Sequence, residues 1–297
     1  MADASRNLYL RGIMLSAAGM ALLSPDALMI RLVQDAGVWD VIFYRNLFMG
    51  VSLGVYVVAR YRRKLVATMR QAGWWMVVSM VLLSASNIAF VGAITHTTVA
   101  NTLVILATLP FISAVFGWLL IRERLAGRTW AAILVSMGGI VLIFADSLGN
   151  GGSLGNAYAL GTAFAHGLNL VVLRKVAPLD MTPALALSGF GAALIALPFA
   201  APATIGAHDL GILAILGFGI VPIALALYLS GTRYITAAEV GLFALVETVL
   251  GPIWVWIGIG EVPAPITFVG GAIVIVAIVV NAVLAMRQSS RASEASS

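Results

Sequence analysis

TVANTLVILATLPFISAVFGWLLIRERLAGRTW (residues 98–130) and TAAEVGLFALVETVLGPIWVWIGIGEVPAPITF (residues 236–268) are one pattern written twice. Thr98 answers to Thr236, Ala100 to Ala238, Glu123 to Glu261 and Thr129 to Thr267, all at one offset (236 − 98 = 138 and 261 − 123 = 138). Each copy holds an apolar run of about 20 residues, the length a helix needs to cross the hydrocarbon of a bilayer. Each run ends at a glutamate and a short turn, and a second apolar run follows. A matched pair at a fixed offset is the signature of an internal repeat.

Working outward, similar runs occur near 9–33, 38–59, 73–95, 98–121, 129–146, 153–174, 183–201, 209–231, 236–258 and 265–286. The breaks between them are short and turn-like: Asp35-Ala36-Gly37, Gly149 to Gly152, Pro178 to Pro183, and Gly260 to Pro265. The composition agrees, with 61% of the 297 residues hydrophobic and 10% charged. A soluble domain carries about 25% charged residues, so most of this surface must face lipid. The net charge of +5 does not point to nucleic acid, because the basic residues sit in short loops between apolar runs. They read as orientation signals and contacts to anionic lipid. There is no cysteine, hence no disulfide or thiol chemistry. Arg6 and Arg11 precede an apolar run too long for a cleavable signal and lacking a small-residue cleavage site, so it reads as a first span that stays.

Short cytoplasmic loops are rich in Lys and Arg. With the N-terminus inside, the inner segments hold all but Arg31 and Arg45 of the 17 basic residues, and the outer loops hold none. Each half has five spans, an odd number, so the second half is inverted relative to the first. The first spans align as well, with Gly12, Asp26 and Arg31 against Gly155, Asn169 and Arg174 at an offset of 143 (169 − 26 = 143). The expected fold is therefore an all-α integral membrane protein of ten transmembrane helices in two inverted five-helix repeats. The repeats run over 9–146 and 153–286, with a disordered cytoplasmic tail at 287–297. Inverted repeats place a substrate near the midplane between them and allow alternating access.

Several stretches carry a family resemblance. They are Leu23-Ser24-Pro25-Asp26-Ala27-Leu28 with Arg31, Arg45 early in the second span, and Ala107 to Pro110 followed by Ile121 to Leu125. The second half adds Val246-Glu247-Thr248 and Gly260-Glu261. From about residue 9 to 286 the chain resembles the drug/metabolite transporter superfamily, in its bacterial EamA-type branch. The resemblance implies a carrier exporting amino acids or other small metabolites, with some similarity to aromatic amino acid exporters. It also implies that Glu123 and Glu261 stabilise helix turns. One departure is that Glu247 is followed by Thr248 where the family often has proline, with Pro252 a turn later.

Ionisable residues at bilayer depth are costly and point to function. Glu247, in mid-span, reads as a partner for a substrate ammonium, a proton carrier, or a hydrogen-bonded packing residue. Asp26 and Arg45 lie at similar depth and suit an ion pair, either a gate that breaks on opening or a static brace. His166 lines the cavity with Asn169 or is a satisfied core histidine. Asn87, Phe90, Asn101, Thr108, Tyr228 and Trp254 complete the candidate lining, with Trp254 and Phe90 suited to stacking. Trp39, Trp74, Trp75 and Trp130 fall near span ends, as an interfacial belt requires. Pro110 and Pro222 should bend their helices. The glycine pairs Gly138-Gly139 and Gly270-Gly271 suit close helix approach and a dimer face. Gly151 to Gly155 matches G-x-S-x-G, but in a turn between apolar helices rather than after a strand, so it is no nucleophile elbow. No Walker A, HExxH or metal cluster is present, and neither an enzyme nor a cofactor is indicated.

The sequence thus points to a secondary transporter of the bacterial inner membrane with both termini cytoplasmic. It would export amino acids or similar metabolites as a monomer or weak homodimer in the lipid bilayer, with no nucleic-acid partner. The alternatives are a proton-coupled drug or nucleoside efflux carrier and a non-transporting membrane scaffold.

Overall fold

A computed structural model describes residues 2–97, 99–144, 153–201 and 205–260, together with 269, 272–273, 275–281 and 283–284 of the last helical stretch. Helix is the only regular structure among the described residues. The order is α1 (Ala2–Leu23), α2 (Asp26–Arg31), α3 (Val38–Tyr61), α4 (Leu65–Ala72), α5 (Trp74–His96), α6 (Val99–Leu106) and α7 (Leu109–Ile121). It continues with α8 (Gly127–Phe144), α9 (Ser153–Val176), α10 (Thr182–Ala196), α11 (Ala207–Ala214), α12 (Val221–Ser230) and α13 (Ala237–Ile259). The tail at 287–297 and Glu261 lie outside the described residues.

Among the described residues, six stretches are long and apolar enough to cross a membrane: Asn7–Arg31, Val38–Ala72, Trp74–His96, Thr182–Phe199, Ala207–Arg233 and Ala237–Ile259. The other four expected spans differ. The run at 98–121 is two helices, because Pro110 stands at the start of α7 and has no N–H to offer the Leu106 carbonyl. Thr108 closes the break by donating from its N–H and its hydroxyl to the Ile105 carbonyl, at 3.1 and 2.7 Å. In α8, no side chain is described beyond Gly139. The helix α9 carries Asn156, Thr162, His166 and Asn169, and packs against α5, α6, α7 and α13, so its polar face meets protein rather than lipid. The run at 265–286 falls largely on residues outside the description.

Pro222 acts through a π-helical stretch, Ile215–Ile220, just before it. The carbonyl it leaves free, that of Phe218, accepts the Ser52 hydroxyl of α3 at 3.1 Å. The basic segment after α3, expected as loop, instead forms a 3₁₀ turn and α4.

The helix ends sort into two groups. At one end, Tyr9 donates to Glu239 (3.0 Å) and Arg128 approaches Glu239 (3.8 Å). There too, Arg174 pairs with Glu123 (2.9 Å), Arg233 with Asp180, and Lys175 lies over Trp75 (4.5 Å). These are the segments the charge pattern assigns inside. At the other end, Arg31 donates to the Thr97 carbonyl (2.8 Å), and Asp209 accepts the N–H groups of Gln34, Asp35 and Ala36 at 2.8–3.1 Å. Asp40 accepts from Ala201 at 2.6 Å. The halves interlock through α1 with α12, α3 with α10 and α5 with α9. Gly189 of α10 lies directly on Gly50 of α3, where a methyl group would come within 2.6 Å of backbone nitrogen. Gly138, by contrast, meets no other described residue, so that part of the glycine pair marks no contact among the described residues.

Candidate functional site

Where the two halves meet, α1, α2, α3, α5, α6, α7, α9, α12 and α13 enclose a cavity of about 60 Å³. Water needs roughly 10–15 Å³ of such space, so the cavity is narrow. The first half contributes Met20, Leu23, Asp26, Arg45, Ser86, Asn87, Phe90, Leu106 and Leu109. The second half contributes Thr162, His166, Leu225, Tyr228, Ala244 and Glu247.

The lining follows the repeat. At the offset of 138, Asn87 answers to Leu225, Phe90 to Tyr228, Leu106 to Ala244 and Leu109 to Glu247 (247 − 109 = 138). At the offset of 143, Leu23 answers to His166 (166 − 23 = 143). The cavity therefore sits on the pseudo-symmetry between halves. The symmetry holds for position and not for chemistry: leucine stands opposite asparagine, histidine and glutamate.

Asp26 and Arg45 form a two-pronged ion pair, Nε to Oδ1 at 3.2 Å and Nη2 to Oδ2 at 2.5 Å. The guanidinium carbon lies 5.8 Å from the centre of the Phe90 ring. His166 Nδ1 is 3.4 Å from the Ser86 hydroxyl, and its ring lies 5.7 Å from that of Tyr228. Five buried polar atoms of the lining have no partner among the described residues: Arg45 Nη1, Asn87 Nδ2, His166 Nε2, Tyr228 Oη and Glu247 Oε1. Buried polar groups are almost always hydrogen-bonded, and those that are not need a reason. Their convergence on one cavity is such a reason: each is free to meet a polar ligand.

Trp254, Asn169 and Thr108 do not line this cavity. Trp254 is 36% exposed and donates its indole N–H to the Ser24 hydroxyl at 2.7 Å. It stands on the same face of α13 as Glu247 but two turns further along, about 10 Å beyond the cavity. Asn169 is buried, but it accepts the Ser79 hydroxyl at 2.7 Å and ties α9 to α5. Asn101 is on α6 with its side chain outside the described residues. Thr108, also considered, is spent on the Ile105 carbonyl. Ser86 and Thr162 join the lining without having been singled out. Thr162 was legible as the residue one turn before His166 on the same helix face, and Ser86 as the neighbour of Asn87.

Glu123 does more than end a turn. Its Oε1 pairs with Arg174, its Oε2 accepts the Ala237 N–H at the start of α13 (3.3 Å), and Arg174 also donates to the Thr232 carbonyl (3.2 Å). This links the first half to α9 and α13 of the second. Asp180, in the connection between α9 and α10, is nearby. Burial alone would raise its carboxyl pKa. Hydrogen bonds from Thr182 and Tyr61 and the charge of Arg233 outweigh that and hold it below the ordinary range. Among the described residues, no cluster of acidic, histidine or cysteine side chains is placed to hold a metal ion.

Against known proteins, the model of the EamA-like transporter family matches residues 10–145 and 153–283, one match per half. A crystal structure of another protein, 19% identical, superposes with a TM-score of 0.73 over 94% of this chain and 98% of its own, a likeness of fold. Among the curated proteins, none matches the sequence.

Proposed function

Because this chain belongs to the EamA-like transporter family, a family of multi-pass membrane transporters of small molecules, we propose that it is a secondary carrier exporting an amino acid or similar small amphipathic metabolite. The observation that supports this reading most is the cavity between the halves, where five buried polar atoms have no partner among the described residues. A packing core would have satisfied them or replaced them with apolar groups. Phe90, Tyr228 and the leucines give the same cavity an apolar surface for a side chain.

In this reading Glu247 contacts the substrate amine, and Asn87, His166 and Tyr228 supply further hydrogen bonds. The halves rock about the cavity, exposing it to each side in turn. The bacterial inner membrane, cytoplasmic termini and a monomer or weak homodimer are part of the proposal, the first resting on the family resemblance and the second on the charge pattern. A second reading is proton-coupled drug or nucleoside efflux, here of a cationic drug, favoured by a carboxylate that lines one cavity with two aromatic rings, Phe90 and Tyr228.

Counterflow in proteoliposomes decides between them. Vesicles loaded with one unlabelled amino acid should concentrate the labelled one from outside, and Glu247→Ala should abolish this. Counterflow of organic cations, with none of any amino acid, would overturn the amino acid reading in favour of the second.

A further inference from the structure

Arg45 is held by three contacts in one orientation. Nε and Nη2 donate to the two oxygens of Asp26, and Phe90 lies beside the guanidinium. A guanidinium presents five N–H donors in a rigid planar fork. Asp26 occupies the edge formed by Nε and Nη2. The planar geometry leaves the second edge, formed by Nη2 and Nη1, directed away from Asp26, and Nη1 has no acceptor among the described residues. Arg45 is 2% exposed and lines the cavity. A second carboxylate is the planar, two-oxygen anion that this edge fits.

Glu247 supplies the opposite chemistry. It is 5% exposed, lines the same cavity, and its Oε1 has no donor among the described residues. Asp26 and Arg45 cancel in charge, and Glu247 adds a negative group. An amine lacking a carboxylate would leave the free edge of Arg45 unpaired. A carboxylate lacking an amine would leave Glu247 unpaired and bring in more negative charge.

We propose that the free edge of Arg45 anchors a substrate carboxylate, with Asp26 as its positioning residue, so that the cavity selects a zwitterion whose ammonium meets Glu247. The proposal rests on the cavity being the transport site and names its substrate class. It makes the ion pair a brace rather than a gate, because α2 and α3 belong to the same half. The two ends of the ligand are then held by different halves, the carboxylate by the first and the ammonium by the second. A molecule with only one of these groups engages one half alone.

The test is competition in counterflow of labelled L-phenylalanine and, separately, L-leucine, using the full-length protein. The competitors are each unlabelled amino acid, its decarboxylated amine (phenylethylamine or isopentylamine) and its deaminated acid (3-phenylpropionate or 4-methylpentanoate). In the unaltered protein, the amino acid should compete at least about tenfold better than either one-ended analogue. In the double variant Asp26→Asn with Arg45→Gln, which removes both buried charges together, the advantage over the amine should fall by about 10- to 100-fold. That is the loss expected for a charge-assisted pair. Arg45→Lys keeps the charge but not the fork, and should fall part of the way; it carries the test if the double variant does not fold. The ratio is taken within one protein sample, so the fraction of active protein does not affect it. An unchanged ratio in a variant that still transports the amino acid overturns the anchor and leaves the proposed function standing. Exchange of the amines with neither amino acid, in the unaltered protein, overturns both.

Discussion

Gly189→Ala should separate two helices that now touch backbone to backbone. A Cβ at residue 189 would stand 2.6 Å from the Gly50 nitrogen, 2.7 Å from the Asn46 carbonyl oxygen and 2.8 Å from the Gly50 Cα. Ordinary contact begins near 3.4 Å, so α3 and α10 must part by about 0.8 Å (3.4 − 2.6). All three atoms are main-chain, and no rotamer change can relieve them. Overpacking of this kind costs about 1–3 kcal/mol. With 1 kcal/mol worth roughly 2–4 °C for chains of 150–250 residues, the midpoint should fall by roughly 2–12 °C. Thermal unfolding in detergent, followed by tryptophan fluorescence, measures it. Gly138→Ala is the control: no described atom lies within 4 Å of its added methyl group. It should leave the midpoint unchanged or raise it by no more than about 1 kcal/mol equivalent. The displaced atoms of α3 are one residue and one turn beyond Arg45, so transport by Gly189→Ala should weaken too. If Gly189→Ala melts with the unaltered protein and with Gly138→Ala, the close contact is not a constraint and the reasoning fails.

Glu123→Gln should loosen the link between the halves at the end assigned inside. The pair is partly exposed, at 12% for Glu123 and 29% for Arg174, so it is worth about 1 kcal/mol, or roughly fivefold in the balance of states. The chain has no cysteine, so Ser86→Cys is a clean reporter in the cavity, and an impermeant thiol reagent applied from that side should label it roughly fivefold faster in the variant. Equal labelling rates would refute the link. At the same end, the Asp180 carboxyl is held below its ordinary range. Its contribution is present above the unfolded value near 3.9 and is lost as pH falls through the folded one. Asp180→Asn should therefore lower the unfolding midpoint near pH 7, by no more than about 1 kcal/mol at this exposure. The difference should shrink below about pH 4; a difference that grows in acid would reverse the sign of the argument.

Glu247, Asp26, Arg45 and His166 were legible in the sequence because charged or titratable side chains in apolar runs are too costly to be incidental. The helical fold was legible for a related reason: lipid leaves a spanning backbone little choice but to satisfy its own hydrogen bonds. The two sides of the bundle followed from where Lys and Arg lie, and the pairing of halves from the offsets of 138 and 143. These are properties of single segments, written in composition and spacing. Convergence was not. Trp254 shares a helix face with Glu247 yet lies two turns away, and Asn169 lies three residues beyond His166 yet turns to Ser79. The break at Thr108, the π-helical stretch before Pro222 and the glycine contact of α3 with α10 set the depth and rotation of their helices. Rotation and depth depend on packing between segments far apart in the chain. Only the tertiary structure decided that five polar atoms without a partner among the described residues meet in one cavity, and that one edge of the Arg45 fork is turned away from Asp26.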